Sequence, residues 1–80
     1  MGRRRFYIPF DGHAHPLSLG SDPEQLAIVE LGIELWAIPG GQLRAFRVYE
    51  HGQPVAEGAA LIGTARAADG LVWHLYELPG

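Results

Sequence analysis

The last apolar segment of the chain, Leu71 to Leu78, is apolar on both sides when it is read as a β-strand. Leu71, Trp73 and Leu75 point to one side, and Val72, Tyr76 and Leu78 point to the other, with His74 among them. A strand that is apolar on both faces is normally covered on both faces. We therefore expect either most of the remaining chain or a second chain to pack against this segment.

Turn-forming residues divide the rest of the sequence into further strands. The turn signals are PGG at 39–41, HGQP at 51–54 and DG at 69–70, the last of which is typical of a tight hairpin. The pattern predicts strands at residues 33–38, 43–50, 55–66 and 71–78, and residues 5–10 are a candidate fifth strand. Three short connections in a row favour an antiparallel meander, because parallel crossovers need a dozen or more residues.

Residues 21–32 carry two conflicting signals. Ser21 or Asp22 followed by Pro23 and Glu24 has the form of a helix start, and Gly32 would be a natural stop. Against a helix, apolar residues from Val29 onward alternate with polar residues or glycine, which indicates a strand. We predict a short helix at about 22–31 and keep the strand as the alternative.

These elements together predict an α+β fold that is mostly β. It would contain an antiparallel meander of four to five strands, with the short helix packed on one face. In a simple meander Leu71–Leu78 would lie at the edge of the sheet, where an unpaired apolar strand promotes association. We therefore predict that residues 5–10 pair beside this strand, or that the protein forms a homodimer through Leu71–Leu78.

Length and composition indicate one folded domain over residues 1–80. The chain is 48% hydrophobic and 19% charged, which is typical of a globular protein. It contains no cysteine, which excludes disulfides, thiolate zinc sites and cysteine nucleophiles. No apolar run reaches the roughly 18 residues that a membrane span needs, so no membrane association is expected. No hydrophobic signal region follows the first arginines, and we therefore predict a cytoplasmic location.

The charge of the chain is unevenly distributed. Arg3, Arg4 and Arg5 are three of the six basic residues and form a basic N-terminal arm over residues 1–5. The other three arginines are outnumbered by nine acidic residues, which leaves residues 6–80 with a formal charge of −6. An acidic body is poorly suited to a nucleic-acid groove. A contact through the arm, whose arginines precede Phe6 and Tyr7, stays open as an alternative.

Aromatic residues are the candidate anchors for a protein partner. If Ile33, Leu35 and Ala37 face the core, Trp36 faces outward, where tryptophan is often an interface anchor. The alternative is that a second layer, such as the helix, covers it. The predicted binding residues are Arg3, Arg4, Arg5, Trp36, Tyr49, Trp73 and Tyr76.

The segment Asp11-Gly12-His13-Ala14-His15 is the one motif with metal-binding spacing. Two histidines at positions i and i+2 of an extended segment point to the same side and could bind one transition metal. The motif resembles the opening metal-binding strand of the amidohydrolases, with His13 and His15 at the ligand positions. That family builds its remaining ligands on a barrel of about 250 residues, which exceeds this chain. The alternative is that both histidines lie in a solvated loop before Pro16.

The sequence contains no recognisable catalytic constellation. Neither Ser18 nor Ser21 lies in a Gly-x-Ser-x-Gly elbow, and no Gly-Lys-Ser/Thr follows the glycines of a phosphate loop. We therefore predict a small non-enzymatic protein-binding module without cofactors, of adaptor or inhibitor type, that acts through a sheet face or edge. By analogy of size and charge alone, we extend this prediction to an inhibitor encoded by a phage or mobile element. The alternatives are metal binding by His13 and His15, and nucleic-acid contact through the arm.

Overall fold

The computed structural model describes residues 2–80, and Met1 of the predicted arm lies outside the described residues. Residues 2–80 form seven β-strands and no helix. The strands are β1 (Arg4–Pro9), β2 (His15–Leu19), β3 (Glu24–Val29), β4 (Gly32–Ala37), β5 (Gln42–Glu50), β6 (Ala60–Arg66) and β7 (Val72–Glu77). They build two antiparallel sheets, one with the order β1-β4-β3 and the other with the order β2-β5-β7-β6. The mostly β, antiparallel fold is confirmed, whereas the four-to-five-strand meander is wrong.

One hydrophobic core lies between the two sheets. The first sheet contributes Ile8, Ile33, Leu35 and Ala37, and the second contributes Leu19, Phe46, Val48 and Leu75. These side chains alternate along their strands with residues that point away from the core, as the period of two in a strand requires. The molecule is therefore a small two-layer sandwich, 17 Å along its shortest axis.

The predicted helix at 22–31 is wrong. The residues that had the form of a helix start make tertiary contacts instead, and the residues after them form a strand, as their period of two indicates. The Ser21 hydroxyl accepts a hydrogen bond from the backbone N–H of Ile38 at 2.8 Å, and Asp22 bonds the guanidinium of Arg44 at 2.9 Å. Neither side chain caps a helix. Residues 24–29 instead form β3, which pairs with β4 through a two-residue turn at Glu30 and Leu31.

The position predicted for the last strand is also wrong. β7 lies between β5 and β6, and both of its edges are hydrogen-bonded within the chain. Residues 5–10 do not pair beside it, since β1 pairs with β4. β7 therefore has no free edge in residues 2–80, and the predicted homodimer through Leu71–Leu78 stays a prediction.

The two apolar sides of β7 are both covered within the chain. Leu75 is fully buried in the core, and Trp73 packs against that core. On the opposite side Tyr76 makes an edge-to-face contact with Tyr49, with ring centroids 5.3 Å apart. The segment after β5 reaches this side too, because the backbone N–H of Ala56 donates to the Tyr49 hydroxyl at 3.3 Å. The expectation of two-sided cover is confirmed, and its source is this chain.

The hairpin predicted at residues 69–70 is present between β6 and β7. Gly70 adopts φ +90°, and the Asp69 carboxylate accepts a hydrogen bond from the Leu71 N–H at 3.0 Å. The strand predicted at 55–66 is shorter than expected, because β6 begins at Ala60. β2 has no strand predicted at its position, and β3 occupies the segment predicted as a helix.

Candidate protein-binding face

The side of the three-stranded sheet that points away from the core is not covered by any other layer of the described chain. Because Ile8, Ile33 and Leu35 are fully buried on the core side, the residues that alternate with them point outward. Strand pairing arranges these outward residues in three rows across β1, β4 and β3. We call this surface the outer face, and its rows are Arg5-Trp36-Glu24, Tyr7-Glu34-Ala27 and Pro9-Gly32-Val29.

Trp36 and Tyr7 are the two aromatic side chains of the outer face. Trp36 is half-buried, and Tyr7 keeps 46% of its surface exposed. Trp36 lies opposite Arg5 in the register, and Tyr7 lies opposite Glu34, so the two rings occupy neighbouring rows. The outward orientation expected for Trp36 is therefore the one that the structure has, and no helix covers it in residues 2–80.

Gly32 gives the Tyr7 ring its place on the outer face. A Cβ atom at position 32 would lie 2.6 Å from the Tyr7 hydroxyl oxygen and 2.7 Å from the Ile8 carbonyl oxygen. The phenol ring therefore lies directly over the glycine backbone, in a space that any larger residue would fill. This contact holds a large aromatic side chain flat against the sheet while its other side remains exposed to solvent.

Two ion pairs border Trp36. Arg3 contacts Glu24 at 2.9 Å, and Arg5 contacts Glu34 at 3.7 Å. Both arginines and Glu24 are exposed, and Glu34 is only half-buried, so each pair contributes little to stability. Their effect on the surface is to balance its charge, although the body of the protein is acidic. Arg4 is exposed and alternates with Arg5 along β1, so it does not lie on the outer face.

The remaining predicted binding residues lie in the other sheet. Trp73 stacks on Phe10 with centroids 3.9 Å apart and an interplanar angle of 8°, which fills the space between the layers. Tyr49 is 1% exposed, with Arg47 above its ring at 4.7 Å. Tyr76 is half-buried beside it. The structure thus brings Arg3, Arg5 and Trp36 together and separates them from Tyr49, Trp73 and Tyr76.

Tyr7, Glu34 and Gly32 belong to the outer face and were not among the predicted residues. Their alternation with buried residues along β1 and β4 was readable, since Tyr7 is two residues from Arg5 and Glu34 is two residues from Trp36. The missing information was that β1 pairs with β4. That pairing joins segments almost thirty residues apart and has no local signal in the sequence.

The Asp11 carboxylate organises the two histidines that were considered as metal ligands. It accepts a hydrogen bond from the His13 backbone N–H at 3.0 Å, and it lies 2.9 Å from His15 Nε2. The hydrogen bond with His15, followed by that with the His13 backbone, lowers the pKa of Asp11. Within residues 2–80 no three His, Cys, Asp or Glu side chains converge in a way that could hold a metal ion.

Residues 2–80 form no pocket, and they include no helix that could cross a lipid bilayer. The polar and aromatic groups of the outer face therefore meet solvent on an open sheet.

The fold and this face define a class, which is a small antiparallel two-sheet domain with an open aromatic face. The chain belongs to the family described as a domain of unknown function, DUF7352, which matches residues 4–80. No curated protein and no solved structure matches the chain.

Proposed function

We propose that this domain is a small non-enzymatic protein-binding module, of adaptor or inhibitor type, that binds a partner protein through the outer face. The observation that supports it is the presence of Trp36 and Tyr7 in neighbouring rows of an uncovered sheet, bordered by Arg5. Tryptophan, tyrosine and arginine are the residue types that dominate the binding energy of protein interfaces.

The size of the outer face suits the centre of an interface. Six residues of strand extend about 20 Å, and three strands span roughly 10–14 Å across the sheet. That area is smaller than the roughly 800 Å² that one partner contributes to a standard interface. The outer face would therefore supply the central anchors, and the loops around it would supply the rim.

The chemistry of the face indicates the kind of partner. Its two carboxylates are both paired with arginines, so desolvating the face costs less than desolvating the acidic remainder of the molecule. A matching partner is a folded protein with an apolar patch that accepts Trp36 and Tyr7, rimmed by charges of both signs. A second copy of this chain is another occupant, which the experiment below distinguishes.

The cellular setting belongs to the same proposal. We place the protein in the cytoplasm, in keeping with its lack of cysteine. Small, acidic, single-domain inhibitors of host proteins are encoded by phages and mobile elements, and we extend that analogy from size and charge to this chain.

The two alternative functions stay predictions. Metal binding by His13 and His15 would use residues that Asp11 already engages, one through its backbone and the other through its ring. Nucleic-acid contact through the arm would have to compete with the pairing of Arg3 with Glu24 and of Arg5 with Glu34. Neither arrangement favours these functions over protein binding.

The test compares outer-face variants with a matched variant on the other sheet. Trp36→Ala and Arg5→Glu change the outer face, and Leu43→Ala removes an exposed side chain elsewhere, since Leu43 is 69% exposed. A partner identified by capture and mass spectrometry is purified, and its affinity for each variant is measured by calorimetry. We expect Trp36→Ala to weaken binding by at least about 2 kcal/mol, or roughly thirtyfold, and Leu43→Ala to leave it unchanged.

Two results would contradict this proposal. Equal affinity of the wild type, Trp36→Ala and Arg5→Glu for the purified partner would place the interface elsewhere. A dimer in native mass spectrometry that Trp36→Ala dissociates would show that a second copy occupies the face. Arg5→Glu keeps the test valid if Trp36→Ala is poorly folded, because the Arg5 side chain is 64% exposed.

A further inference from the structure

Two histidines and a threonine form a hydrogen-bonded chain on the side of the four-stranded sheet that points away from the core. His51 Nδ1 lies 3.0 Å from His74 Nε2, and His74 Nδ1 lies 2.8 Å from the Thr64 hydroxyl oxygen. The ring centroids of the two histidines are 5.3 Å apart, so the rings meet through their facing nitrogens and do not stack. Both nitrogens of the half-buried His74 ring are therefore engaged within the chain.

A contact of this geometry holds one proton between the two facing nitrogens. One imidazole must donate an N–H, and the other must accept it with a lone pair. This condition is met when both rings are neutral. It is also met when one proton is added, because a charged His74 donates its Nδ1–H to Thr64 and its Nε2–H to His51. Once both rings are protonated, an N–H occupies each facing nitrogen, and repulsion between like charges replaces the hydrogen bond.

The charged and ionisable groups around the pair do not offset a second positive charge. The groups that share this side of the sheet with His74 are Arg47 and Tyr49 in β5, Arg66 in β6 and Tyr76 in β7. The carboxylates of the neighbouring strand end and turns are Glu50, Glu57 and Asp69, and all three are exposed. Within residues 2–80 neither His51 nor His74 forms an ion pair with a carboxylate, since the histidine that does is His15.

His51 is also the first residue of the segment that covers this side of the sheet. Residues 51–59, which we call the covering segment, connect β5 to β6 and contain no strand. The Ala56 N–H donates to the Tyr49 hydroxyl at 3.3 Å, and Tyr49 is only 1% exposed although it lies outside the main core cluster. Residues 51–58 are themselves all exposed. A segment with so few buried contacts opens locally at a small cost in free energy.

We propose that the His51–His74 pair is a proton-controlled latch on the covering segment. With at most one proton added, the contact between the rings ties the start of the segment to β7. The second proton breaks this contact, and the segment opens about the backbone hydrogen bond from the His51 N–H to the Val72 carbonyl, which is 2.9 Å long. Opening exposes Tyr49. The latch lies on the four-stranded sheet, so it goes beyond the function proposed for the outer face and is independent of it.

The experiment follows backbone amide exchange in the full chain by nuclear magnetic resonance from about pH 8 to about pH 5, the range in which histidine changes its charge. Rates are expressed as protection factors, which removes the intrinsic dependence of exchange on pH. We expect the protection of the Ala56 amide to fall about two- to tenfold in the wild type, as the loss of one hydrogen bond implies. The amides of β7 should keep their protection, because both edges of that strand are hydrogen-bonded.

Two variants separate the latch from a general effect of acid. His51→Gln replaces the ring with an amide that can donate or accept a hydrogen bond but does not titrate, so the protection of Ala56 should no longer depend on pH. The His13→Ala/His15→Ala double variant keeps the latch and should respond as the wild type does. Constant protection of Ala56 in the wild type, an equal fall in His51→Gln, or a parallel fall at the amides of β7 would each overturn the proposal.

Discussion

At the scale of single residues, the backbone of the β3–β4 turn carries a strain that the sequence does not relieve. Glu30 adopts φ +54°, in the left-handed region that glycine adopts without cost. A non-glycine residue pays about 1–2 kcal/mol for this conformation. Within residues 2–80 Glu30 makes no side-chain hydrogen bond or salt bridge that would explain its choice at this position, and it lies in an exposed turn.

Replacing Glu30 with glycine should therefore stabilise the fold. The removed strain exceeds the roughly 0.5–1 kcal/mol that glycine costs through its greater freedom in the unfolded chain, so we expect a gain of about 0.5–1 kcal/mol. Thermal unfolding should show a midpoint about 3–6 °C higher. Glu30→Ala removes the same charge but keeps the strain, and it should show no such gain. A gain of equal size in both variants would mean that charge, and not φ, is responsible.

Gly32 is the residue whose replacement should disturb the outer face most directly. A methyl group there would overlap the Tyr7 ring and the Ile8 carbonyl oxygen, so Gly32→Ala should destabilise the protein by about 1–3 kcal/mol in chemical denaturation. Gly2→Ala is the control, because nothing lies within 4 Å of a Cβ at that position. In the Tyr7→Ala/Gly32→Ala double variant part of the loss should be recovered, since only the Ile8 contact remains. No recovery would show that the ring is not what occupies this space.

At the scale of elements, one arginine connects the core side of the second sheet to the segment before β3. Arg44 of β5 makes two hydrogen bonds to the Glu77 carboxylate in β7, at 2.9 and 2.7 Å, and a third to Asp22 at 2.9 Å. Its side chain is only 15% exposed. This arrangement explains why Asp22 does not start a helix: its carboxylate neutralises an arginine at the end of the sandwich.

The contact with Arg44 should make stability depend on acid. Hydrogen bonding by Arg44, opposed in part by burial, lowers the pKa of Glu77 in the folded protein. A carboxylate with a depressed folded-state pKa stabilises the fold above its unfolded pKa, and this contribution is lost as the pH falls below about 5. Urea unfolding from pH 7 to pH 3 should therefore show a steeper loss of stability in the wild type than in Glu77→Gln.

The comparison needs a second carboxylate as its control. Asp11 also has a lowered pKa, because of its hydrogen bond with His15. Asp11→Asn leaves the Arg44–Glu77 contact in place and should retain the part of the acid dependence that Glu77→Gln removes. An unchanged slope in Glu77→Gln would mean that Arg44 does not distinguish the charged from the neutral carboxyl in the folded state.

At the scale of the whole molecule, local patterns in the sequence predicted strands, turns and outward faces. They did not predict which strands pair when the partners lie far apart along the chain. The antiparallel β character, the hairpin at Gly70 and the outward face of Trp36 follow from turn chemistry and from the period of two. The two-sheet order does not, because Arg5 pairs with Trp36 and Arg47 pairs with Tyr76 across about thirty residues. The outer face depends on such a pairing, because Tyr7 reaches Gly32 through the β1–β4 register.

The same pairings impose an order on the synthesis of the chain. Within residues 2–80 β1 pairs with β4, and β2 pairs with β5 and forms a single bridge to Pro39, so residues 4–19 have no strand partner until residues 32–50 have been made. At a translation rate of about 5–20 residues per second, that wait lasts roughly 2–6 s. During this interval a ribosome-bound chain carries two unpaired strand-forming segments. A substitution that makes either segment more apolar would therefore expose it to association during synthesis, before the finished fold can pair it.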